Sequence, residues 1–479
     1  MRRDFLSGGR EPRDMDNDAD VDAGAIAFGT DGWRATLDVF TKPRVRMVGQ
    51  AVATTLAERG ASGTVAIGYD ARETSPGFAD ELAHVLRANG FDVLLPDRDT
   101  PTPILAWTVK DRGLAGALQI TASHNPPEYN GVKFIPGDGS PALPDWTAAF
   151  EENLAVLDPL PEDEWGERTE EDLIGPFHDH ALDFVDTDLD DLSVAYDALY
   201  GSGRGVTDAL LEAAGADVTR LNCEQDPEFG GGSPEPSAEN AEGLVGEVSE
   251  GDAALGIIND GDADRIGVVT PDRGYLDPNL FFAAMYDFLL EDGTGDVVRT
   301  VSTSSIVDRV AEAHGQNVHE VAVGFKWVAE AMAEHDALFG GEESGGFGLP
   351  DHLRNKDGVL VALAAAAAER EEPLDARVDR LLDEHGEIHQ DRISVDCSDD
   401  RKEPVLEDLE TALPETLAGV AVDGINTVDG FKIRLEDGTW VLVRPSGTEP
   451  KLRVYAEAGS DARVGELLDA GQELVEPLV

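Results

Sequence analysis

The chain has two cysteines in 479 residues, Cys223 and Cys397, too few for a disulfide framework. Neither has the neighbouring thiol or imidazole that a zinc site requires, so a reducing, cytoplasmic setting is expected. No apolar run approaches the ~20 residues of a membrane span. The opening Arg2-Arg3-Asp4-Phe5-Leu6 resembles a twin-arginine export signal, but polar and charged residues follow it instead of an apolar core, so export is not expected. Positive charge is scarce as well: 37 basic residues stand against 97 acidic ones, a formal charge of −60. Nucleic acid and an anionic membrane surface would both be repelled, and neither is expected as a partner. An acid-rich, lysine-poor surface suits a high-salt cytoplasm, where salt screens the self-repulsion. Only eight lysines remain, so a lysine inside a motif carries more weight than usual.

Apolar residues make up 41 %, enough for several cores, and the length suits roughly three or four domains of about 100–200 residues each. Residues 1–24 are polar and aperiodic and read as a disordered acidic arm. Asp16–Asp20 hints at a calcium loop, but no glycine stands at the sixth position. From Phe28-Gly29-Thr30-Asp31-Gly32-Trp33-Arg34 onward, strand and helix patterns alternate, which predicts mostly parallel sheets with helices on their faces. The first run, 25–160, contains a β-segment, Thr64–Tyr69, that ends in Asp70-Ala71-Arg72. The acid-rich 158–171 stretch reads as a linker. A second α/β run spans 161–275 and a third 276–386. Beyond 387 the texture changes to a small α+β unit, with a helix expected over 404–413 and a hairpin around Asp437-Gly438.

Four loops carry the chemistry. Thr121-Ala122-Ser123-His124-Asn125-Pro126 follows an apolar strand, where α/β folds place reactive groups. A hydroxyl on a proline-stiffened loop, ten residues before Lys133, suits a covalently modified serine; helix capping by Ser123 is the alternative. Asp260, Asp262 and Asp264 alternate within five residues, and such carboxylates repel one another unless a cation sits among them. Mg²⁺ is the natural occupant; a solvated acidic turn is the alternative, since an EF-hand would need Gly at Arg265 and Glu at Pro271. Gly341-Glu342-Glu343-Ser344-Gly345 offers acceptors and a hydroxyl suited to sugar hydroxyls. Arg444-Pro445-Ser446-Gly447-Thr448 combines a guanidinium, two hydroxyls and a flexible backbone into a phosphate cradle, with Lys451 and Arg453 adding charge.

In this order and spacing, the four loops resemble the α-D-phosphohexomutase superfamily, the phosphoglucomutase/phosphomannomutase enzymes, from Phe28 to about Tyr455. The resemblance implies three tandem α/β domains and a C-terminal α+β domain around a central cleft, and the acidic composition adds a halophilic archaeal source. It implies that Ser123 is a phosphoserine and that it holds Mg²⁺ together with Asp260, Asp262 and Asp264. Lys133 is then the general acid/base or charge stabiliser, with His124 second, and Arg34 flanks the phosphoserine. Glu342 and Ser344 would bind sugar hydroxyls, Gly324 and Lys326 would shape their pocket, and Arg265 would lie close by. Arg444, Ser446, Gly447, Thr448 and Arg453 would hold the non-reacting phosphate. Many members have histidine where this chain has Gly346; His352, followed by Lys356, matches a branch that carries it later and is expected in the pocket. The implied activity interconverts hexose 1- and 6-phosphates, glucose first and mannose second, with hexose 1,6-bisphosphate as activator and the protein a monomer or homodimer. The alternatives are phosphoglucosamine mutase, which Glu343 weighs against, a Mg²⁺-dependent sugar phosphatase, and a silent sugar-phosphate binder.

Overall fold

A computed structural model describes residues 23–29, 31–447 and 449–479. The expected acidic arm up to residue 22, the Asp16–Asp20 stretch and Thr448 lie outside these residues. The first domain contains β1 (Trp33–Thr36), α1 (Lys42–Glu58), β2 (Thr64–Tyr69), α2 (Ser75–Ala88), β3 (Asp92–Pro96), α3 (Thr102–Arg112), β4 (Gly116–Ile120), β5 (Tyr129–Pro136), α4 (Pro144–Glu152) and β6 (Arg168–Glu171). Its sheet runs β1-β5-β4-β2-β3-β6. The pairs among β4, β2, β3 and β6 are parallel, and those of β5 with β1 and β4 antiparallel. The linker expected over 158–171 is therefore corrected, because its end pairs with β3 as an edge strand. All four residues of β6 are exposed and none is apolar, so no alternating pattern marks it in the sequence.

After α5 (Ile174–Val185), the second domain contains β7 (Ser193–Asp197), α6 (Thr207–Ala213), β8 (Asp217–Leu221), α7 (Glu242–Glu250), β9 (Leu255–Asn259), β10 (Ile266–Thr270) and β11 (Gly274–Tyr275), in the sheet order β11-β10-β9-β7-β8. The third contains α8 (Pro278–Asp292), β12 (Val297–Thr300), α9 (Ile306–Ala313), β13 (Val318–Val321), α10 (Phe325–His335), β14 (Phe339–Gly341), β15 (Phe347–Gly348), α11 (Gly358–Glu371) and α12 (Leu374–His385), in the order β13-β12-β14-β15. Both sheets mix parallel and antiparallel pairs. The fourth domain is antiparallel throughout. It comprises β16 (His389–Asp396), α13 (Asp399–Ala412), β17 (Thr416–Leu417), β18 (Val420–Asn426), β19 (Phe431–Leu435), β20 (Trp440–Pro445), β21 (Lys451–Ala458) and α14 (Asp461–Val475). The helix expected over 404–413 starts earlier, at Asp399, with Pro404 inside it rather than at its start.

One apolar core runs through the first three domains, and α11 is its axis. Twelve of the fourteen α11 residues are buried, as expected for a helix that is apolar all round. Ile104 and Trp107 of domain I, Tyr196 and Ile257 of domain II and Phe281 and Phe339 of domain III share this core. Domain IV has a core of its own, including Val405, Ile433, Val454 and Leu467. A small apolar contact of Val301 and Val323 with Trp440, Leu442 and Tyr455 joins it to domain III. No described helix is long and apolar enough to cross a membrane.

Candidate active site

The serine, metal and sugar loops leave the C-terminal ends of β4, β9 and β14 and meet where the first three domains converge. No helix follows Ser123, since the chain turns directly into β5, and the capping alternative falls away. Ser123 is fully buried at φ 51°, a left-handed backbone uncommon for a residue with a Cβ. Its Oγ donates to Asp260 Oδ2 at 2.7 Å and lies 3.4 Å from His124 Nδ1. Burial, reinforced by the charges of Arg265 and Arg34, pushes the His124 imidazole down to about 2, so its ring is neutral. Ser233 of domain II donates to the His124 carbonyl and ties the loop down from the far side.

The metal loop turns through Ala263 at φ 53°, which brings the three aspartates together with ligand oxygens within 4.8 Å of one another. Asp260 Oδ1 accepts from Arg265 N at 3.1 Å. Asp262 Oδ2 accepts from Thr102 Oγ1 at 2.6 Å and from Lys133 Nζ at 2.9 Å. Asp264 Oδ2 takes Lys133 at 2.8 Å and Lys356 at 3.1 Å. Asp262 Oδ1 and Asp264 Oδ1 are buried and have no hydrogen-bond partner. Unpartnered buried carboxylate oxygens are costly, and a hard divalent cation satisfies them, so the donor set fits Mg²⁺. Burial, with repulsion from Asp262 and Asp264, raises the Asp260 carboxyl well above the usual range, whereas at Asp262 burial is outweighed by Lys133 and Thr102, which hold that carboxyl below it.

Two ammonium groups face this triad. Lys133 and Lys356 are both buried, and Asp31 Oδ2 bridges them at 3.1 and 3.3 Å while also accepting from Arg34 Nη2 at 3.3 Å. Burial alone would weaken the Lys133 cation, but Asp262, Asp264 and Asp31 outweigh it and hold the proton firmly. Arg34 Nη1 reaches Asn125 Oδ1 at 3.4 Å. The Nε atoms of Arg34 and Arg265 are buried without a hydrogen-bond partner, that of Arg265 3.9 Å from Asp264 Oδ1, and both could donate to an anion.

In the sugar loop, Glu342 is buried, and its Oε1 accepts from Gly324 N at 2.9 Å. Burial pushes its carboxyl up to about 6 against the opposing charge of Lys356. Ile266 N donates to Gly345 O at 2.9 Å, which joins the sugar loop to the metal loop. Ser344 is exposed at the loop tip. Glu343 turns away and accepts from the hydroxyls of Thr300 and Thr303 at 3.2 and 3.4 Å. Lys326, in the first turn of α10, lies over the Trp327 ring within the electrostatic reach of Asp31. A Cβ on Gly346 would come within 2.6 Å of Lys356 Cδ, so glycine at this position leaves room for the lysine stem.

His352 is not in the pocket, which corrects the expectation for it. Its Nε2 lies 2.9 Å from Asp357 Oδ2 and its Nδ1 2.8 Å from His180 Nε2. Phe177 and Phe184 pack against it, leaving 2 % of it exposed. Both ring nitrogens are engaged, and the ring braces the segment that presents Lys356.

The phosphate loop leaves the end of β20. Arg444 Nε donates to Asp429 Oδ2 at 2.8 Å, and the same oxygen accepts from Val323 N at 3.2 Å, beside Gly324. Lys402 Nζ donates to the carbonyls of Ser446 and Glu449, both at 2.6 Å, and fixes the turn around the exposed Gly447. Arg453, the cross-strand partner of Arg444, donates to Glu449 at 2.8 Å and keeps a buried, unpartnered Nε. Asp31, Thr102, Lys402 and Asp429 join these loops without having been singled out from the sequence. Asp31 stood in a motif read only for its glycines and Arg34. Thr102 lies 160 residues from Asp262, Asp429 lies 106 from Val323, and Lys402 holds backbone carbonyls 44 and 47 residues on; only the scarcity of lysine pointed toward Lys402.

Family models of phosphoglucomutase/phosphomannomutase match the chain in four successive pieces. These are alpha/beta/alpha domain I at residues 25–158, domain II at 176–274, domain III at 277–385 and the C-terminal domain at 393–473. The "Probable phosphoglucosamine mutase" of Methanopyrus kandleri is 36 % identical over 458 residues, covering 94 % of this chain and 98 % of that protein. The "Phosphoglucomutase/phosphomannomutase" of Thermococcus kodakarensis is 33 % identical with the same coverage. A crystal structure from Thermus thermophilus, described as a putative phosphomannomutase, matches with a TM-score of 0.82 at 30 % identity, over 94 % of this chain and 99 % of that one.

Proposed function

Because the chain belongs to the phosphoglucomutase/phosphomannomutase family of the α-D-phosphohexomutase superfamily, isomerases that transfer phosphoryl groups, we propose that it interconverts hexose 1-phosphate and hexose 6-phosphate through a phosphoserine at Ser123. The observation that carries this reading is Ser123 Oγ at 2.7 Å from Asp260, beside the unpartnered oxygens of Asp262 and Asp264. The phosphoserine gives its phosphoryl group to the free hydroxyl of a hexose monophosphate: the P–Oγ bond breaks, a P–O bond to the sugar forms, the sugar hydroxyl loses its proton, and the freed Ser123 Oγ takes one up. The bound 1,6-bisphosphate turns over, and its other phosphate returns to Ser123. Asp260, Asp262 and Asp264 would hold Mg²⁺, which supplies charge stabilisation when bound. Lys133, ringed by three carboxylates, suits charge stabilisation alongside Lys356 and Arg34; His124, the second candidate for the proton, would need the added negative charge of phosphoserine and substrate to offset Arg265 and Arg34 before it could act as a base. Glu342 and Ser344 would take sugar hydroxyls in a pocket shaped by Gly324, Lys326 and Arg265. Arg444, Ser446, Gly447, Thr448 and Arg453 would hold whichever phosphate is not reacting.

Glucose is our first sugar and mannose our second. Glucosamine is a specific alternative, favoured by the Methanopyrus relative, and Glu343 no longer counts against it because that side chain is tied to Thr300 and Thr303. The test uses purified protein in molar KCl, suited to the −60 charge, with Mg²⁺ and hexose 1,6-bisphosphate. The 1-phosphates of glucose, mannose and glucosamine are offered to wild type and Ser123→Ala. We expect isomerisation of a preferred sugar and at least a 10³-fold loss in the variant, on the order of what a nucleophile contributes. Free phosphate without isomerisation would establish a phosphatase instead, and no turnover of any sugar would leave a binding protein.

A further inference from the structure

Arg72 carries five side-chain N–H groups, and each has an acceptor. Nε donates to Asp70 Oδ2 at 3.0 Å. Nη1 donates to the carbonyls of Pro126 and Tyr129 at 2.7 and 3.1 Å, and Nη2 to those of Ser123 and Asn125 at 2.9 and 2.6 Å. All four carbonyls belong to the segment that runs from β4 into β5. A flat five-donor fork is required to gather them, and lysine, with three donors at one point, cannot span the set. The guanidinium is 2 % exposed, and the ring of Phe229, from domain II, covers its face with the centroid 4.9 Å away.

Asp70 extends the hold to the other side of the serine. Its Oδ1 accepts from Arg72 N at 3.2 Å and Ser75 Oγ at 2.6 Å. Its Oδ2 also accepts from Thr121 Oγ1 at 2.7 Å, and that hydroxyl accepts from Ser123 N at 2.8 Å. Both backbone polar atoms of Ser123 are thus tied to one buried carboxylate, the N–H through Thr121 and the C=O through Arg72. Such a hold is needed because φ 51° is a left-handed backbone that a residue with a Cβ adopts only when its surroundings impose it. In the relaxed alternative the Cα–Cβ bond turns, and Oγ leaves Asp260.

We propose that Arg72, acting with Thr121, is a positioning residue that holds Ser123 in its left-handed conformation and so aims Oγ at the metal loop. The proposal rests on Ser123 being the phosphoryl carrier. Neither side chain hydrogen-bonds or ion-pairs with Asp260, Asp262 or Asp264, so removing either one leaves the three aspartates in place and moves the nucleophile. A displacement of about 1 Å costs roughly 10²-fold in a transfer step.

The test compares wild type, Arg72→Lys, Thr121→Val and Thr121→Ser after loading with hexose 1,6-bisphosphate. Intact mass reports the phosphoryl group on Ser123, and single-turnover mixing with hexose monophosphate reports its transfer. If wild type takes no phosphoryl group on Ser123, the functional reading fails and this inference with it. If it does, Arg72→Lys and Thr121→Val are expected to lower kcat and the single-turnover rate by about 10²-fold, with KM for the sugar phosphate within about twofold. Thr121→Ser, which keeps the hydroxyl, is expected to recover most of the rate. A folded Arg72→Lys enzyme that transfers at the wild-type rate would overturn the proposal. So would equal losses in Thr121→Val and Thr121→Ser. Should Arg72→Lys fail to fold, the two Thr121 variants decide the matter.

Discussion

Lys133 and Glu369 are both buried, and burial has opposite consequences for them because only one is offered opposite charge. Lys133 stands among Asp31, Asp262 and Asp264 and stays charged. Glu369, near the end of α11, has the backbone N–H of Leu374 as a partner at 2.7 Å and the carboxylate of Asp375 nearby. Burial pushes its carboxyl up to about 7, and Asp375 adds to the shift while the Leu374 N–H opposes it. A carboxyl raised in the fold favours its neutral form there. The fold therefore loses stability as pH rises from about 4.3, where the unfolded group titrates, through about 7. Glu369→Gln keeps an acceptor for Leu374 N and removes the charge. We expect it to melt higher than wild type at pH 8, by an amount on the order of 2–3 kcal/mol, with the gain vanishing near pH 4 in calorimetry at both pH values.

At the scale of elements, the approach of α11 to the metal loop matters more than any single contact within either. Asp357 caps the helix by accepting from Val359 N and Leu360 N at 3.0 and 2.7 Å. Asn259, at the end of β9, donates to the carbonyls of Arg265 and Gly358 at 2.8 and 3.2 Å, so one amide links strand, loop and helix. Gly358 is the first residue of α11, and a Cβ there would lie 2.5 Å from the Arg265 carbonyl oxygen and 2.8 Å from that of Ala263. Gly358→Ala must push helix and loop apart. Overpacking of this kind costs about 1–3 kcal/mol. The strain falls on the loop that carries Asp262 and Asp264, so we expect the Mg²⁺ concentration for half-maximal activity to rise several-fold while the sugar-phosphate KM changes little. A Mg²⁺ titration at saturating substrate checks this.

At the scale of the whole molecule, the first three domains share a core, and the fourth meets the third through a small apolar contact, hydrogen bonds of Ser305 to Glu457, Gln390 to Ser302 and Val323 to Asp429, and a polar latch. Glu320 of β13 is the centre of that latch, accepting from Arg299 at 2.9 Å, Lys432 at 2.6 Å and Asn426 at 3.0 Å. Arg299 has Asp308 as a second partner, whereas among the described residues Lys432 has no second hydrogen-bonded carboxylate and lies against the face of Trp440, 4.2 Å from its ring centroid. Burial alone would raise the Glu320 carboxyl, but Arg299 and Lys432 pull it down to about 2. A depressed carboxyl stabilises the fold above about pH 4.3, and that contribution is lost as pH falls through about 2. Glu320→Gln leaves Lys432 buried without its counter-charge, a change that costs about 3 kcal/mol or more. Calorimetry of this variant is expected to show domain IV melting in a separate, earlier transition while the core of domains I–III keeps its temperature.

Local pattern was enough for most strands and helices, because alternation, apolar runs and turn residues act over a few positions. It was also enough to single out Ser123, the aspartate triad, Glu342 and Arg444, whose loops combine chemistry-bearing side chains with turn residues in a short stretch. It failed where the deciding interaction was non-local. The four exposed residues of β6 form a strand only because β3 lies beside them. His352 reads as a pocket residue until Asp357, His180 and the surrounding aromatics enclose it. Asp31, Thr102 and Asp429 acquire their places from partners that the chain brings together across domains. A sequence by itself determines which groups are present and how each short segment folds. Which carboxylate faces which cation, and which backbone is held in strain, is decided only when separate domains close on a shared core, since charge and hydrogen bonding depend on distance in space.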